Sequence, residues 1–395
     1  MQRFNLYIIL IILLISSTFN CCRGSNTATK VVTGAEQLSE YLPDIENRKV
    51  GLIVNQTSIV DGSHLVDLLL SKGIQVKKIF TPEHGFRGDV EAGDSVNNSI
   101  DKKTGIPIIS LYGKNKKPTK ENLSGIDVII FDIQDVGCRF FTYISTMHYA
   151  MEACAENNIP LIILDRPNPN GDYVDGPVLK PELKSFVGMH PIPIVHGCTV
   201  GELALMINGE GWLDGNLRCN LKVVPVKNYK HSDRYELPVK PSPNLPNQAS
   251  IRLYPSLCLF EATTVSIGRG TEFPFQVIGF PNKRFGYFTF TPQSIKGVSA
   301  KPLHEGKQCF GVDLRDETKT PQFTLSYFIN FFNKFENPDS FWSSKRWIDL
   351  LSGDPNFYSQ INEKRSESEI RQSWQSDLLK YKTMRKKYLL YPDFE

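Results

Sequence analysis

A chain of 395 residues is long enough for two domains, and 41% hydrophobic with 22% charged side chains is the balance of a globular protein. The 45 basic and 42 acidic side chains leave a net charge of +3, a near-balance that gives no electrostatic footprint for nucleic acid, where a basic stripe would be expected. None of the eight cysteines stands in a CxxC pair, which argues against a zinc site.

At the N-terminus, Gln2 and Arg3 precede an apolar run from Leu6 to Ile15. At about 1.5 Å per residue this run reaches roughly half of a bilayer core. A basic start, a short apolar centre and a polar exit describe a secretory signal over residues 1–22, so an exported, periplasmic or cell-envelope protein is expected. Cys21 and Cys22 offer a point of lipid attachment, although Phe19 and Asn20 fit a lipoprotein cleavage site poorly. Cys138, Cys154, Cys198, Cys219, Cys258 and Cys309 read as buried small hydrophobes, with one disulfide open to an exported chain.

From residue 48 short stretches rich in Ile and Val recur: Val50–Val54, Val76–Phe80, Ile106–Leu111, Val128–Ile133 and Leu161–Leu164. Continuous runs of this length read as strands buried on both faces. Helical patterns lie between them. Ser63 is the expected cap for Leu65, Leu68 and Leu69, and a longer helix spans Thr142–Asn158. This alternation predicts an α/β domain with a mainly parallel sheet over residues 30–236. Leu237–Pro246 holds four prolines and suits an extended crossing segment. Beyond it, Thr263–Ile267, Gln276–Phe280 and Gly286–Thr291 read as strands. Helices are expected at Leu325–Phe335 and from the capping box Ser366-Glu-Ser-Glu369, with Ile370, Trp374, Leu378, Tyr381 and Tyr388 on one face. Residues 237–395 are therefore assigned to a smaller α+β domain.

The strands end on polar groups: Asn55, Glu83-His84, Tyr112, Asp132 with Asp135, and Asp165-Arg166. In open parallel sheets ligands bind beyond the carboxyl ends of the strands, so this rim is the expected site. The chain lacks G-x-G-x-x-G, G-x-x-x-x-G-K-[ST], H-E-x-x-H and G-x-S-x-G, which removes dinucleotide, P-loop, zincin and α/β-hydrolase chemistry from consideration.

Thr81-Pro-Glu-His-Gly-Phe-Arg-Gly-Asp89 is the densest segment. A carboxyl held near apolar walls can serve as a general acid at neutral pH, which singles out Glu83. His84 and Arg87 are candidate ligands, Arg87 for a carboxylate, or members of ion pairs that only shape the loop. Asp132, Gln134, Asp135, Arg139 and Tyr143 combine carboxylates, an amide and an aromatic face in the way sugar sites do. The alternative is that Asp135 neutralises Arg139 and Tyr143 is core. In Asp165-Arg-Pro-Asn-Pro-Asn-Gly171, Arg166 and Asn168 are candidates, and turn formation also accounts for Asn168 and Asn170. Thr199 and Glu202 form a capping box, His196 stays open, and Arg269 of Gly268-Arg-Gly-Thr271 is placed to reach across a cleft.

Taken together, Gly51-Leu-Ile-Val-Asn-Gln-Thr57, Phe80-Thr-Pro-Glu-His-Gly-Phe-Arg-Gly88, Phe131-Asp-Ile-Gln-Asp-Val-Gly137, Asp165-Arg-Pro-Asn-Pro169, Ser242-Pro-Asn-Leu-Pro246, Gly268-Arg-Gly-Thr271 and Arg385-Lys-Lys-Tyr-Leu-Leu-Tyr-Pro392 resemble the YbbC-like family. Its characterised members are exo-β-N-acetylmuramidases of the NamZ type. The resemblance covers nearly all of the chain after residue 22. It implies a Rossmann-like N-terminal domain, a smaller C-terminal domain and a site in the cleft between them. It also implies release of N-acetylmuramic acid from the non-reducing end of peptidoglycan fragments such as MurNAc-GlcNAc, with Glu83 catalytic and no cofactor. Cys138 and Cys198 depart from the expected loop residues. In the reaction so implied, Asp132 or Asp135 stabilises the transition state, and Asn55, His84, Arg87, Gln134, Arg139, Tyr143, Arg166, Asn168, His196 and Arg269 bind sugar. A non-catalytic glycan-binding protein and an amidase or esterase on muropeptides are the alternatives.

Overall fold

The computed structural model describes residues 29–83, 85–86, 98–316 and 322–395. The expected signal segment, Cys21, Cys22, His84 and Arg87 lie outside the described residues. Among those described, no helix is long and apolar enough to cross a membrane.

Strand β1 (Lys49–Val54) is followed by a hairpin of β2 (Ile59–Val60) and β3 (Ser63–His64), then β4 (Gln75–Thr81), β5 (Ser99–Ile100), β6 (Pro107–Ser110), β7 (Val128–Asp132), β8 (Leu161–Leu164) and β9 (Leu221–Val224). Seven of these form one sheet in the order β5-β6-β4-β1-β7-β8-β9, parallel except for the β5–β6 edge. The chain builds outward from β1 to β6, then returns to the other side of β1 and builds to β9. The order therefore reverses between β1 and β7.

Both faces of the sheet are covered. Val50, Leu52 and Val54 of β1, with Val128 and Ile130 of β7, pack with Tyr41, Leu65 and Leu69 from helices Leu38–Ile45 and Leu65–Ser71. Ile53, Ile129 and Phe131 point the other way, onto Ile144, Met147 and Met151 of helix Tyr143–Glu156 and Leu203 and Ile207 of helix Val200–Glu210. Each fully buried side chain of this kind contributes about 1.5–3 kcal/mol. Burial on both faces removes the polar alternation a half-exposed strand would show.

The same core continues through Phe260, Phe328 and Phe341 to Trp374 and Tyr381. Here β10 (Val277–Phe280), β11 (Phe288–Phe290) and β12 (Cys309–Asp313) form an antiparallel sheet with β12 central. Helix Glu367–Arg385 starts at the expected capping box, with Ser366 Oγ accepting from Glu369 N.

Several local expectations change. Ser63 is not the cap, because Asp61 and Gly62 turn with positive φ and place Ser63 in the hairpin. His64 takes over, its Nδ1 accepting from Val66 N at 3.2 Å. Thr263–Ile267 is not a strand: Thr263 and Ser266 make isolated bridges to Trp342 and Gly279. Tyr388 lies past the end of its helix and bonds Glu210 through its hydroxyl at 2.8 Å. The six cysteines of the described residues are buried and free, with no disulfide among them.

Candidate active site

A cleft of about 890 Å³ opens at the carboxyl ends of β4 and β6. Its floor begins at Glu83. Pro82 follows β4, and Gly85, at φ 77°, turns back so that its N–H reaches Pro82 O at 3.2 Å. Phe86 then anchors the loop against His64, ring to ring at 4.7 Å. This leaves the Glu83 carboxylate in the cleft, 3.5 Å from Thr142 Oγ1 at the start of helix Tyr143–Glu156. Tyr143 lines the same end and donates to Pro241 O at 3.3 Å. Burial first, and the Glu83 charge beside it, hold the Tyr143 phenol above its ordinary range.

From Tyr143 a file of aromatic rings forms one wall. Phe141 meets Tyr143 edge-on at 4.7 Å, Tyr254 meets Phe140 at 5.2 Å, and Phe275 meets Tyr254 at 5.0 Å. Edge-to-face rings of this kind present flat apolar surface to a ligand. Beyond them lies an ion pair of Arg269 with Glu261, with the guanidinium over the Phe275 ring at 5.1 Å. Gly268 and Gly270, both at φ 79°, give the loop the left-handed turns that point Arg269 inward. The proline-rich segment supplies Ser242, Asn244 and Leu245, with Asn244 Nδ2 donating to Val298 O at 3.0 Å. Lys116 and Phe186 also line the cleft, the Lys116 ammonium 4.3 Å from the centroid of the Phe186 ring.

Glu83, Tyr143 and Arg269 are thus brought together in the cleft. Tyr112, the polar end of β6, lines it as well, while Asn55, Asp132, Gln134, Asp135, Arg139, Arg166, Asn168 and His196 are not among its lining residues. Asp132 is paired in bidentate fashion with Arg166, Nε to Oδ1 at 2.6 Å and Nη2 to Oδ2 at 2.9 Å, both side chains buried. Asn55 Oδ1 accepts from Thr57 N and Oγ1, and its carbonyl meets His64 Nε2 at 2.9 Å. At the strand ends where the order reverses, these groups are therefore engaged in the protein's own hydrogen bonds. Gln134 donates to Asp135 O and Pro167 O. Asp135 accepts from Gly137 N at 2.7 Å and sits 3.5 Å from His196 Nε2. Asn168 accepts from Asn170 N and donates to Cys198 O, as its turn position suggested. Gly137 is obligatory in this packing, since a Cβ there would lie 2.2 Å from Asn168 Oδ1.

Arg139 is fully buried and donates to four carbonyls, those of Pro177, Ile192, Leu351 and Ser352. Burial without a carboxylate partner lowers its pKa to about 9. It ties the first half of the chain to the second and does not meet Asp135. Thr199 and Glu202 form the expected capping box, and Glu202 also pairs with His231 at 3.0 Å.

Two charged lining residues escaped the reading of the sequence, Lys116 and Glu261. Glu261 had a signal: it is the lone charge in Leu257-Cys-Leu-Phe-Glu-Ala262, a segment otherwise buried. Lys116 had none, standing in a run of lysines on a surface loop. Among the described residues no group of three or more His, Cys, Asp or Glu side chains is arranged to hold a metal ion.

Comparison with known proteins places this geometry. Residues 50–249 match the family model of the exo-β-N-acetylmuramidase NamZ N-terminal domain, and residues 252–391 match that of the NamZ C-terminal domain. The chain is 41% identical over 384 residues to the peptidoglycan β-N-acetylmuramidase NamZ of Bacillus subtilis (strain 168), covering 92% of each. It is similar to a DUF1343 family protein of Bacteroides fragilis, with TM-score 0.85, 46% identity and coverage of 92% of this chain and 100% of that one. A second such protein from the same organism gives TM-score 0.79 and 32% identity, over 91% and 99% of the two chains. The chain belongs to the NamZ family of exo-β-N-acetylmuramidases, which are glycoside hydrolases.

Proposed function

We propose that this glycoside hydrolase removes N-acetylmuramic acid from the non-reducing end of peptidoglycan-derived MurNAc-GlcNAc saccharides, with Glu83 as the general acid. The observation that carries the reading is the placement of Glu83: a carboxylate at a tight turn, inside a cleft walled by aromatic rings. Glu83 gives its proton to the glycosidic oxygen as the bond from that oxygen to C1 breaks, and water supplies the hydroxyl that ends on C1, its other proton in the net balance restoring the Glu83 carboxyl. Phe141, Tyr143 and Tyr254 face the sugar rings. Asp132 and Asp135 act from behind the cleft, holding Arg166 and the Gly137 turn in place. A cysteine-based amidase or esterase mechanism has less support, because burial raises the thiols of Cys138, Cys198 and Cys258 and no cysteine is among the lining residues described.

Export fits a substrate that lies in the cell envelope. The apolar run Leu6–Ile15 supports a signal over residues 1–22, and Cys21 or Cys22 would carry a lipid if one is attached.

The test is sugar release from MurNAc-GlcNAc by wild type and Glu83→Gln. Free muramic acid from wild type, with about a hundredfold or greater loss in the variant, is the expected result. A wild type that binds the disaccharide without cleaving it would make the protein a glycan-binding module. Release of free peptide from a muropeptide would make it an amidase.

A further inference from the structure

We propose that Lys116 reads the lactyl carboxylate of the muramic ring and so sets the preference for N-acetylmuramic acid over N-acetylglucosamine. This rests on the muramidase reading above and assigns a specificity residue within the same cleft. The two sugars differ by the lactyl ether on ring oxygen 3, which carries one carboxylate. A site that separates them gains most from a cation at that position, since a charge-assisted hydrogen bond to the carboxylate is about twice as strong as a neutral one.

Four charged side chains line the cleft among the described residues: Glu83, Glu261, Lys116 and Arg269. Two are cations, and they differ in commitment. Arg269 is already neutralised by Glu261 and lies over Phe275. Lys116 has no carboxylate partner among the described residues, and its ammonium rests over the face of Phe186, 4.3 Å from the ring centroid. A cation on an aromatic face keeps part of its charge free for an arriving anion, which completes a charge-assisted hydrogen bond.

The placement is built. Lys117, the next residue, turns the other way and is held by Glu152 at 3.2 Å and Glu156 at 2.6 Å on helix Tyr143–Glu156. That anchor fixes the loop and leaves Lys116 on the cleft side. Phe186 is stacked on Tyr149, with centroids 6.3 Å apart and planes 14° from parallel, and its carbonyl accepts from Ser145 Oγ at 2.7 Å. The Lys116 loop also springs from the strand beside the one that carries Glu83. Thr81 of β4 is in register with Ser110 of β6, and Leu111 N donates to Thr81 O at 2.8 Å. A sugar whose glycosidic oxygen meets Glu83 carries its O3 substituent two ring carbons away, and in the pose we propose that substituent faces this neighbouring loop.

The experiment compares kcat/KM on two disaccharides, MurNAc-GlcNAc with the free lactyl carboxylate and the same compound as its lactyl methylamide. Wild type is expected to favour the acid. Lys116→Met should lose about tenfold or more on the acid, chiefly through KM, and little on the amide. Lys116→Arg should retain most of the preference, and thermal unfolding should be alike in all three proteins. Equal losses on both substrates would reassign Lys116 to loop structure and overturn the proposal. No loss on either, with Arg87→Met abolishing the preference instead, would move the role to Arg87. Turnover of neither substrate by wild type would remove the muramidase reading and this assignment with it.

Discussion

Arg139 shows what a residue read from its neighbours along the chain conceals. A cation four residues after Asp135 and four before Tyr143 looks like part of a sugar-binding cluster. In the fold its donors go to carbonyls at positions 177, 192, 351 and 352. Those partners are distant in sequence, and carbonyls leave no mark in residue identity. Arg139→Met would strip four buried acceptors of their donor, each such group costing about 1–3 kcal/mol when unsatisfied. Since carbonyls can relax or recruit water, a net loss of about 3 kcal/mol or more is expected in denaturant unfolding. The folded fraction should keep its kcat/KM, because Arg139 does not line the cleft. A variant of normal stability with a raised KM would restore Arg139 to the substrate.

At the scale of elements, legibility follows burial. β1, β7 and β8 were plain in the sequence because both faces are covered, so each is an unbroken apolar run. β9 and β12 were not. Leu221-Lys-Val-Val224 is an edge strand with Lys222 turned out to Asp44 at 2.5 Å. Cys309-Phe-Gly-Val-Asp313 needs Gly311 where it faces Gly279, since a Cβ there would meet Ile278 O at 1.7 Å. Glycine inside a strand hides the pattern that identifies it. Helix starts were legible where side-chain chemistry decides them, as at Thr199 and Ser366. These two caps differ in what else they hold. Ser366 is an exposed cap, and Ser366→Ala should cost about 1 kcal/mol. Thr199 also donates its hydroxyl to the buried Asp165 Oδ2 at 2.7 Å, so Thr199→Ala should cost about twice as much. Equal shifts in unfolding midpoint for the two variants would contradict this.

Across the whole molecule, the polar strand ends divide by function in a way their sequence did not announce. Those after β4 and β6 reach the cleft, while those after β1, β7 and β8 bind the chain to itself. Asp165 is the clearest of the latter. It closes β8, accepts from Gly201 N, Thr199 Oγ1 and Arg166 N, and receives the Tyr391 hydroxyl at 2.5 Å. Tyr391 in turn accepts from Val226 N at 2.8 Å, and Leu390 N donates to Glu202, so the C-terminal tail is clasped onto the sheet edge. Burial is the main cause, and the nearby Glu202 charge a lesser one, of an Asp165 pKa raised from 3.8 to about 6. The folded state therefore holds this proton more tightly than the unfolded chain does. Its contribution to stability is fully present below pH 3.8 and is lost as pH rises through about 6, a change on the order of 3 kcal/mol. His190 works against it. Burial holds that imidazole well below its ordinary value, so its penalty appears as pH falls through the unfolded value of 6.5. The two windows overlap, and the slope of wild type alone would not separate them. Asp165→Asn removes one term and leaves the other. The variant should lose more stability relative to wild type at pH 4 than at pH 7, by about 2 kcal/mol, in paired denaturant titrations. A deficit of the same size at both pH values would mean that Asp165 is charged throughout and that the clasp is held by the carboxylate.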